Sequence, residues 1–125
     1  MRYLCLIYCS QAQMAADVPS EDMAAFVNAH LDYDDALRMA GQLAATEALE
    51  TADSAAVVRV RQGKVWVTDG PFAETSELLG GFYLVDAASD DEAVRIAAGI
   101  PSARIGSIEV RPVAPMEHGP WERSP

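Results

Sequence analysis

The sequence predicts an α+β sandwich, an antiparallel sheet with two helices on one face, and three observations carry that expectation. Five short runs are rich in β-favouring residues, two longer stretches combine helix-start signals with apolar positions at helical spacing, and glycine or proline marks most of the turns between them. The chain has 125 residues, 50% of them hydrophobic, which suits one domain with a real core rather than two.

Residues 3–9 (YLCLIYC) are apolar on both faces, which predicts a central strand covered on two sides. Polar residues follow as far as Pro19 and predict no element. Ser20 is an N-cap candidate, with Glu21 and Asp22 as first-turn acids, and the helix it opens is expected to end at Gly41. Residues 42–53 are mixed, anchored by Leu43 and Leu49, and read as an irregular or short-strand connection. Residues 56–61 and 64–68 flank Gln62-Gly63 and predict a hairpin, with Arg59 and Arg61 on one face of its first strand and Val58 and Val60 on the other.

Asp69-Gly70-Pro71-Phe72 then ends the second hairpin strand sharply. Pro71 has a fixed φ and no N–H, Gly70 tolerates angles closed to other residues, and Asp69 can hydrogen-bond its own backbone two residues on. Residues 81–85 predict another strand. Ser89 caps a second helix with Asp90, Asp91 and Glu92 in its first turn, Ala93, Ile96 and Ala97 on its apolar side, and Pro101 just past its end. Residues 107–111 alternate as a last strand before Pro112, Pro115 and Pro120, so the domain is expected over 1–113 and a proline-rich tail over 114–125.

The order strand, helix, three strands, helix, strand resembles a ferredoxin-like sandwich with one extra strand. Apolar residues on both sides of the first strand, with Trp66, Phe82 and Tyr83 nearby in sequence, suggest that a second subunit covers the sheet face opposite the helices. A homodimer of the dimeric α/β-barrel type is therefore expected, with the tail lying across the partner.

The formal net charge of −10 argues against nucleic acid and anionic membrane as partners, since both reward a basic surface. Acidity of this kind serves solubility, with a basic partner as the specific alternative. No apolar run approaches the roughly 18 residues of a membrane span, and residues 3–9 are too short for a secretory apolar region, so a cytoplasmic protein is expected. Cys5 and Cys9, four apart in a strand, stand roughly 13 Å apart and cannot bridge each other. The two histidines, His30 and His118, have no zinc-ligand spacing. Gly80-Gly81 lacks the pattern of a phosphate loop, and no serine sits in a nucleophile-elbow motif. On the enzymatic side, proton transfer without metal or cofactor remains.

The run Thr68-Asp69-Gly70-Pro71-Phe72-Ala73-Glu74-Thr75, with Leu79-Gly80-Gly81-Phe82-Tyr83-Leu84-Val85, Asp91-Glu92-Ala93, Ile100-Pro101 and residues 106–113, is similar to the DGPF-domain proteins of the YCII-related superfamily. The likeness runs from Met1 to Val113. It implies a ferredoxin-like α+β domain whose dimers face sheet to sheet. Most such proteins have no assigned function, and some resemble partners encoded beside, or fused to, sigma factors of the extracytoplasmic type. A few superfamily members resemble small-molecule lyases, including dehydrochlorinases of chlorinated hydroxyquinols, with a histidine and an aspartate as the acid/base pair. Their histidine lies on the first helix in a His-Leu-x-Tyr context, which His30-Leu31-Asp32-Tyr33 matches here; Asp69 is the corresponding candidate aspartate.

The residues can also be weighed by themselves. Met23, Phe26, Val27 and Leu37 form the apolar stripe of the first helix, and His30 and Asp34 fall in the middle of it. Groups four apart are neighbours on a helix, and burying both is costly unless they are paired. One reading is a general acid/base imidazole oriented by Asp34; the other is a satisfied core histidine, or a pair reaching solvent at a dimer edge. Asp69 is either a turn cap or, if its strand lies over the first helix, the partner of His30 in one cleft. Arg59, with Arg61, either lines a cleft for an anionic or phenolate ligand or is solvated. Tyr33, Phe72 and Tyr83, with Tyr8, either line an aromatic pocket or belong to core and interface. Glu74 and Glu77 read as exposed loop acids. Two functions follow: a cofactor-free lyase or isomerase with His30 and Asp69 as acid/base pair, or a non-catalytic dimeric module that binds a protein or metabolite.

Overall fold

The computed structural model describes residues 1–73 and 75–115. In chain order its main elements are β1 (Arg2–Cys9), α1 (Gln11–Asp17), α2 (Met23–Met39), β2 (Leu43–Ala48), β3 (Ala56–Arg61), β4 (Lys64–Asp69), β5 (Leu78–Asp86), α3 (Asp90–Gly99) and β6 (Ser107–Pro112), with single 3₁₀ turns at Ser20–Asp22, Ala52–Ser54 and Pro101–Arg104. The principal sheet runs β2-β5-β1-β6, all antiparallel, and β3 and β4 pair only with each other. This is the ferredoxin-like α+β arrangement with a hairpin inserted between its second and third strands.

The two-sided apolarity of β1 has its reason in the register. Cys5 lies opposite Tyr83 and Val110, so these three share the face toward the helices. Leu4 lies opposite Leu84 and Arg111, and Leu6 opposite Phe82 and Glu109, on the other face. The core fills the first face: Tyr3, Cys5, Ile7, Tyr83 and Val85 from the sheet meet Leu37, Ala93, Ile96, Ala97 and Ile100 from the helical layer. Each large apolar side chain fully buried there is worth about 1.5–3 kcal/mol. Leu4, Leu6, Tyr8, Phe82 and Leu84 on the opposite face stay half-buried. Tyr83, grouped above with the aromatic cover of that face, instead turns into the helical layer.

Helix ends follow local chemistry. A 3₁₀ turn leads into α2, and Ser20 makes no side-chain cap there. The predicted end at Gly41 is present: its φ is +72°, its N–H donates to the Arg38 carbonyl at 2.9 Å, and the Gln42 N–H reaches the Leu37 carbonyl at 2.9 Å. Such a left-handed cap favours glycine. At α3, the Ser89 hydroxyl accepts from the Glu92 N–H, and the Glu92 carboxylate accepts from the Ala88 N–H, each at 3.2 Å. Three first-turn acids complement the helix dipole there.

Two sequence expectations need correction, and a third resolves to one of its alternatives. α1 was not expected; Ser10 caps it through the Gln13 N–H at 2.9 Å, and it buries no residue, so it carries no apolar periodicity to read. Residues 42–53, expected as an irregular or short-strand connection, resolve to the second of these: Leu43–Ala48 form the short edge strand β2 against β5. Its sequence LAATEA is poor in β-favouring residues, and pairing with a neighbouring strand overrides that weak local preference. The hairpin is real, with Gln62 at φ 52° and Gly63 at φ 74°, the paired positive angles of a twist-matched two-residue turn. It is not part of the principal sheet, however, which the count of one extra strand had assumed.

Both cysteines are free thiols. Among the described residues no helix is long and apolar enough to cross a membrane. Glu74 and most of the expected tail, including His118 and Pro120, lie outside the described residues.

Candidate functional site

The middle of α2 presents His30 and Asp34 toward the sheet, β5 presents Tyr83 from below, and the 3₁₀ turn Pro101–Arg104 brings Ser102 over the imidazole. These four side chains line one cavity of about 600 Å³. Ile7, Met14, Phe26, Val27, Leu31 and Leu79 make much of its wall apolar, and Glu47 and Glu50 also border it. An apolar wall with a few convergent polar groups is the usual composition of a small-molecule site.

His30 is held at both ring nitrogens. Nδ1 lies 3.0 Å from the Phe26 carbonyl and Nε2 lies 2.7 Å from the Ser102 hydroxyl. A carbonyl only accepts, so in the neutral ring Nδ1 carries the proton and Nε2 accepts from Ser102. The Phe26 ring meets the imidazole edge-on, with centroids 4.6 Å apart. The orienting role expected of Asp34 therefore falls to a backbone carbonyl one helical turn back.

Asp34 is 7% exposed, and its carboxylate accepts from the Tyr83 hydroxyl in a short contact. Burial first, and then the bond to Asp34, push the Tyr83 phenol far above its ordinary range. The unfolded phenol ionises near pH 10 while the native one stays protonated, so this group's contribution is full below about pH 10 and is lost as pH rises further. Denaturant melts from pH 9 to 11 are therefore expected to show falling stability, and Tyr83→Phe is expected to make the fall shallower. An equal slope in the variant would refute the assignment.

The remaining candidates separate from this group. Tyr33 donates its hydroxyl to the Ile96 carbonyl at 2.6 Å and ties α2 to α3. Asp69 ends β4 opposite Ala56, is exposed, and is not in the cavity lining. The Gly70 N–H donates to the Ala55 carbonyl at 2.8 Å, one position beyond the Ala56–Asp69 pair, and extends the pairing of β3 with β4. The Arg59 guanidinium lies 5.4 Å from the Phe72 ring centroid, a cation–π pair on the hairpin and outside the cavity. The single chain thus gathers His30, Asp34 and Tyr83 and leaves Asp69, Arg59, Phe72 and Tyr33 elsewhere. Ser102 was missed, because its partner is 72 positions away and a serine after a proline carries no motif. Among the described residues no group of three or more His, Cys, Asp or Glu is placed to hold a metal ion.

The YCII-related domain family matches residues 1–117, and the chain belongs to that family. An uncharacterised protein of Rhizobium meliloti (strain 1021) is 48% identical over 77 residues, covering 60% of this chain and 62% of the relative. The matched segment is thus under two thirds of that relative's length. Among solved structures, the 5-chloro-2-hydroxyhydroquinone dehydrochlorinase of Burkholderia phenoliruptrix AC1100, in complex with 2,5-dihydroxybenzoquinone, is similar with a TM-score of 0.55 at 16% identity. That match covers 94% of this chain and 98% of the other. At that identity the likeness speaks for the fold.

Proposed function

We propose that this protein is a cofactor-free lyase or isomerase that moves a proton on a small cyclic, hydroxylated substrate, with His30 as the acid/base group. One observation carries the reading: His30 lines a largely apolar cavity of about 600 Å³ with its tautomer set by the Phe26 carbonyl. Asp34 and Tyr83 form a buried polar floor beside it. The substrate class is drawn from the dehydrochlorinase of the same fold, and the cavity lies within the size range of small-molecule sites. In such a reaction the imidazole takes a proton from a substrate hydroxyl and returns it to the chlorine-bearing carbon, and a second hydroxyl proton is lost as chloride leaves, so that a hydroxyquinone and HCl result. A chlorinated hydroxyquinol incubated with the protein is expected to release chloride, and His30→Ala is expected to slow this by about 100-fold or more while melting close to wild type. Release at the buffer rate, or an unchanged rate in the variant, would sink the proposal.

The same reading includes a homodimer. Val58, Val60, Val65, Trp66 and Val67 of the hairpin are each more than half exposed, and an isolated two-stranded hairpin is marginal in water. A second copy covering the hairpin and the half-buried face around Leu6 and Phe82 would relieve both. Asp69 and Arg59 take part in the chemistry, in this reading, only if the hairpin carries them to the partner's cavity. Sedimentation is expected to give a dimer for wild type and a monomer for the Trp66→Glu, Phe82→Glu double variant; a wild-type monomer would remove both the dimer and the catalytic role of Asp69. The exposed apolar hairpin also favours a second reading, a non-catalytic dimeric binding or regulatory module, which absence of turnover together with a stable dimer would support.

A further inference from the structure

We infer that Ser102 is an activated nucleophile that takes the acyl group of a small apolar ester, a second activity of the cavity. The inference rests on the cavity and imidazole of the preceding reading but requires no proton transfer to carbon. Three observations carry it. The Ser102 hydroxyl lies 2.7 Å from His30 Nε2, within the reach that defines a nucleophile and its base. The base is itself oriented by a third group, since the Phe26 carbonyl at 3.0 Å holds the Nδ1 proton and leaves Nε2 free to accept. Ser102 is 6% exposed and lines the cavity, so a reactant meets it inside the cavity.

The backbone around the serine is well anchored. Its carbonyl accepts from the Ile105 N–H at 3.1 Å and the Gly106 N–H at 2.9 Å, and Pro101 opens the turn. A nucleophile held this way loses little freedom on reaction. The substrate class follows from the walls: Phe26, Val27, Leu31 and Leu79 suit an apolar acyl chain, whereas Asp34, Glu47 and Glu50 disfavour an anionic one.

The step balances. Ser102 Oγ bonds to the ester carbonyl carbon as its proton passes to His30 Nε2. The carbon–oxygen bond to the leaving group then breaks, and the departing alkoxide or phenolate takes that proton. Water, deprotonated by the same Nε2, attacks the acyl carbon; the bond from that carbon to Oγ breaks, Oγ takes the proton back from Nε2, and the carboxylic acid leaves with no redox change.

The test uses two probes, a short-chain alkyl fluorophosphonate followed by peptide mass spectrometry, and p-nitrophenyl butyrate hydrolysis. Wild type is expected to carry one phosphonyl adduct on Ser102 and to release nitrophenolate. His30→Gln is expected to slow both by about 100-fold, the scale of general-base assistance, and Ser102→Ala to abolish the adduct. A wild-type protein unmodified at Ser102, or His30→Gln labelled at the wild-type rate, overturns the inference. Adduct mapping on wild type needs no variant to fold, and because chloride release does not enter it, its failure is distinguishable from failure of the lyase reading.

Discussion

Tyr83→Ala is expected to cost about 3–5 kcal/mol, the range for deleting a buried aromatic side chain. Tyr83 is 2% exposed, faces the helical layer from β5 within the core, and donates to the buried carboxylate of Asp34. Truncation removes the ring's packing and leaves Asp34 without that donor. Tyr83→Phe separates the two effects: it keeps the ring and loses only the hydroxyl, with an expected cost of about 1–3 kcal/mol for an unsatisfied buried group. Denaturant melts of wild type and both variants measure the difference. If Tyr83→Phe proves as costly as Tyr83→Ala, the hydrogen bond outweighs the packing; if Tyr83→Ala costs under about 1 kcal/mol, well below the range for such deletions, the residue is not the core element described above.

Gly106→Ala is the second large effect. A Cβ at this position would stand 1.9 Å from the Tyr8 carbonyl oxygen and 2.8 Å from Cys9 Sγ. The carbonyl belongs to the central strand and cannot turn aside as a flexible side chain would. The Gly106 N–H also accounts for one of the two bonds to the Ser102 carbonyl, so the strain reaches the turn that seats Ser102 over His30. Overpacking typically costs 1–3 kcal/mol, and against backbone the upper end, about 3 kcal/mol, is expected. For a domain of this size that is a melting-temperature drop of roughly 10 °C, read by circular dichroism. A drop under about 2 °C would mean that β1 and the turn before β6 yield more readily than their contacts indicate.

Much of the fold could be read from local pattern. β1 announced its central place by being apolar on both faces, and its register with β5 and β6 bears this out. Ser89, Gly41 and Gln62-Gly63 mark their helix ends and turn because each solves a local backbone problem with its own side chain or its own φ. α1 escaped, and β2 stayed ambiguous between strand and irregular chain, for the converse reason. One buries nothing, and the other is held by a strand some forty positions away.

The candidate site divides the same way. His30 and Asp34 were conspicuous because polar groups on an apolar helical stripe require partners, and the motif from Asp69 to Phe72 identified the family. By itself, then, the sequence determined the α+β class, the family and the helix that carries the histidine, all of which rest on periodicity, turn chemistry and ordered motifs. Tertiary structure alone decided that His30 pairs with Ser102, that Asp34 pairs with Tyr83, and that Asp69 stands on a separate hairpin outside the cavity. Those pairings join residues 72 and 49 positions apart, and contacts closed over such distances are set by how the helices dock on the sheet, leaving no mark in the local pattern of either partner.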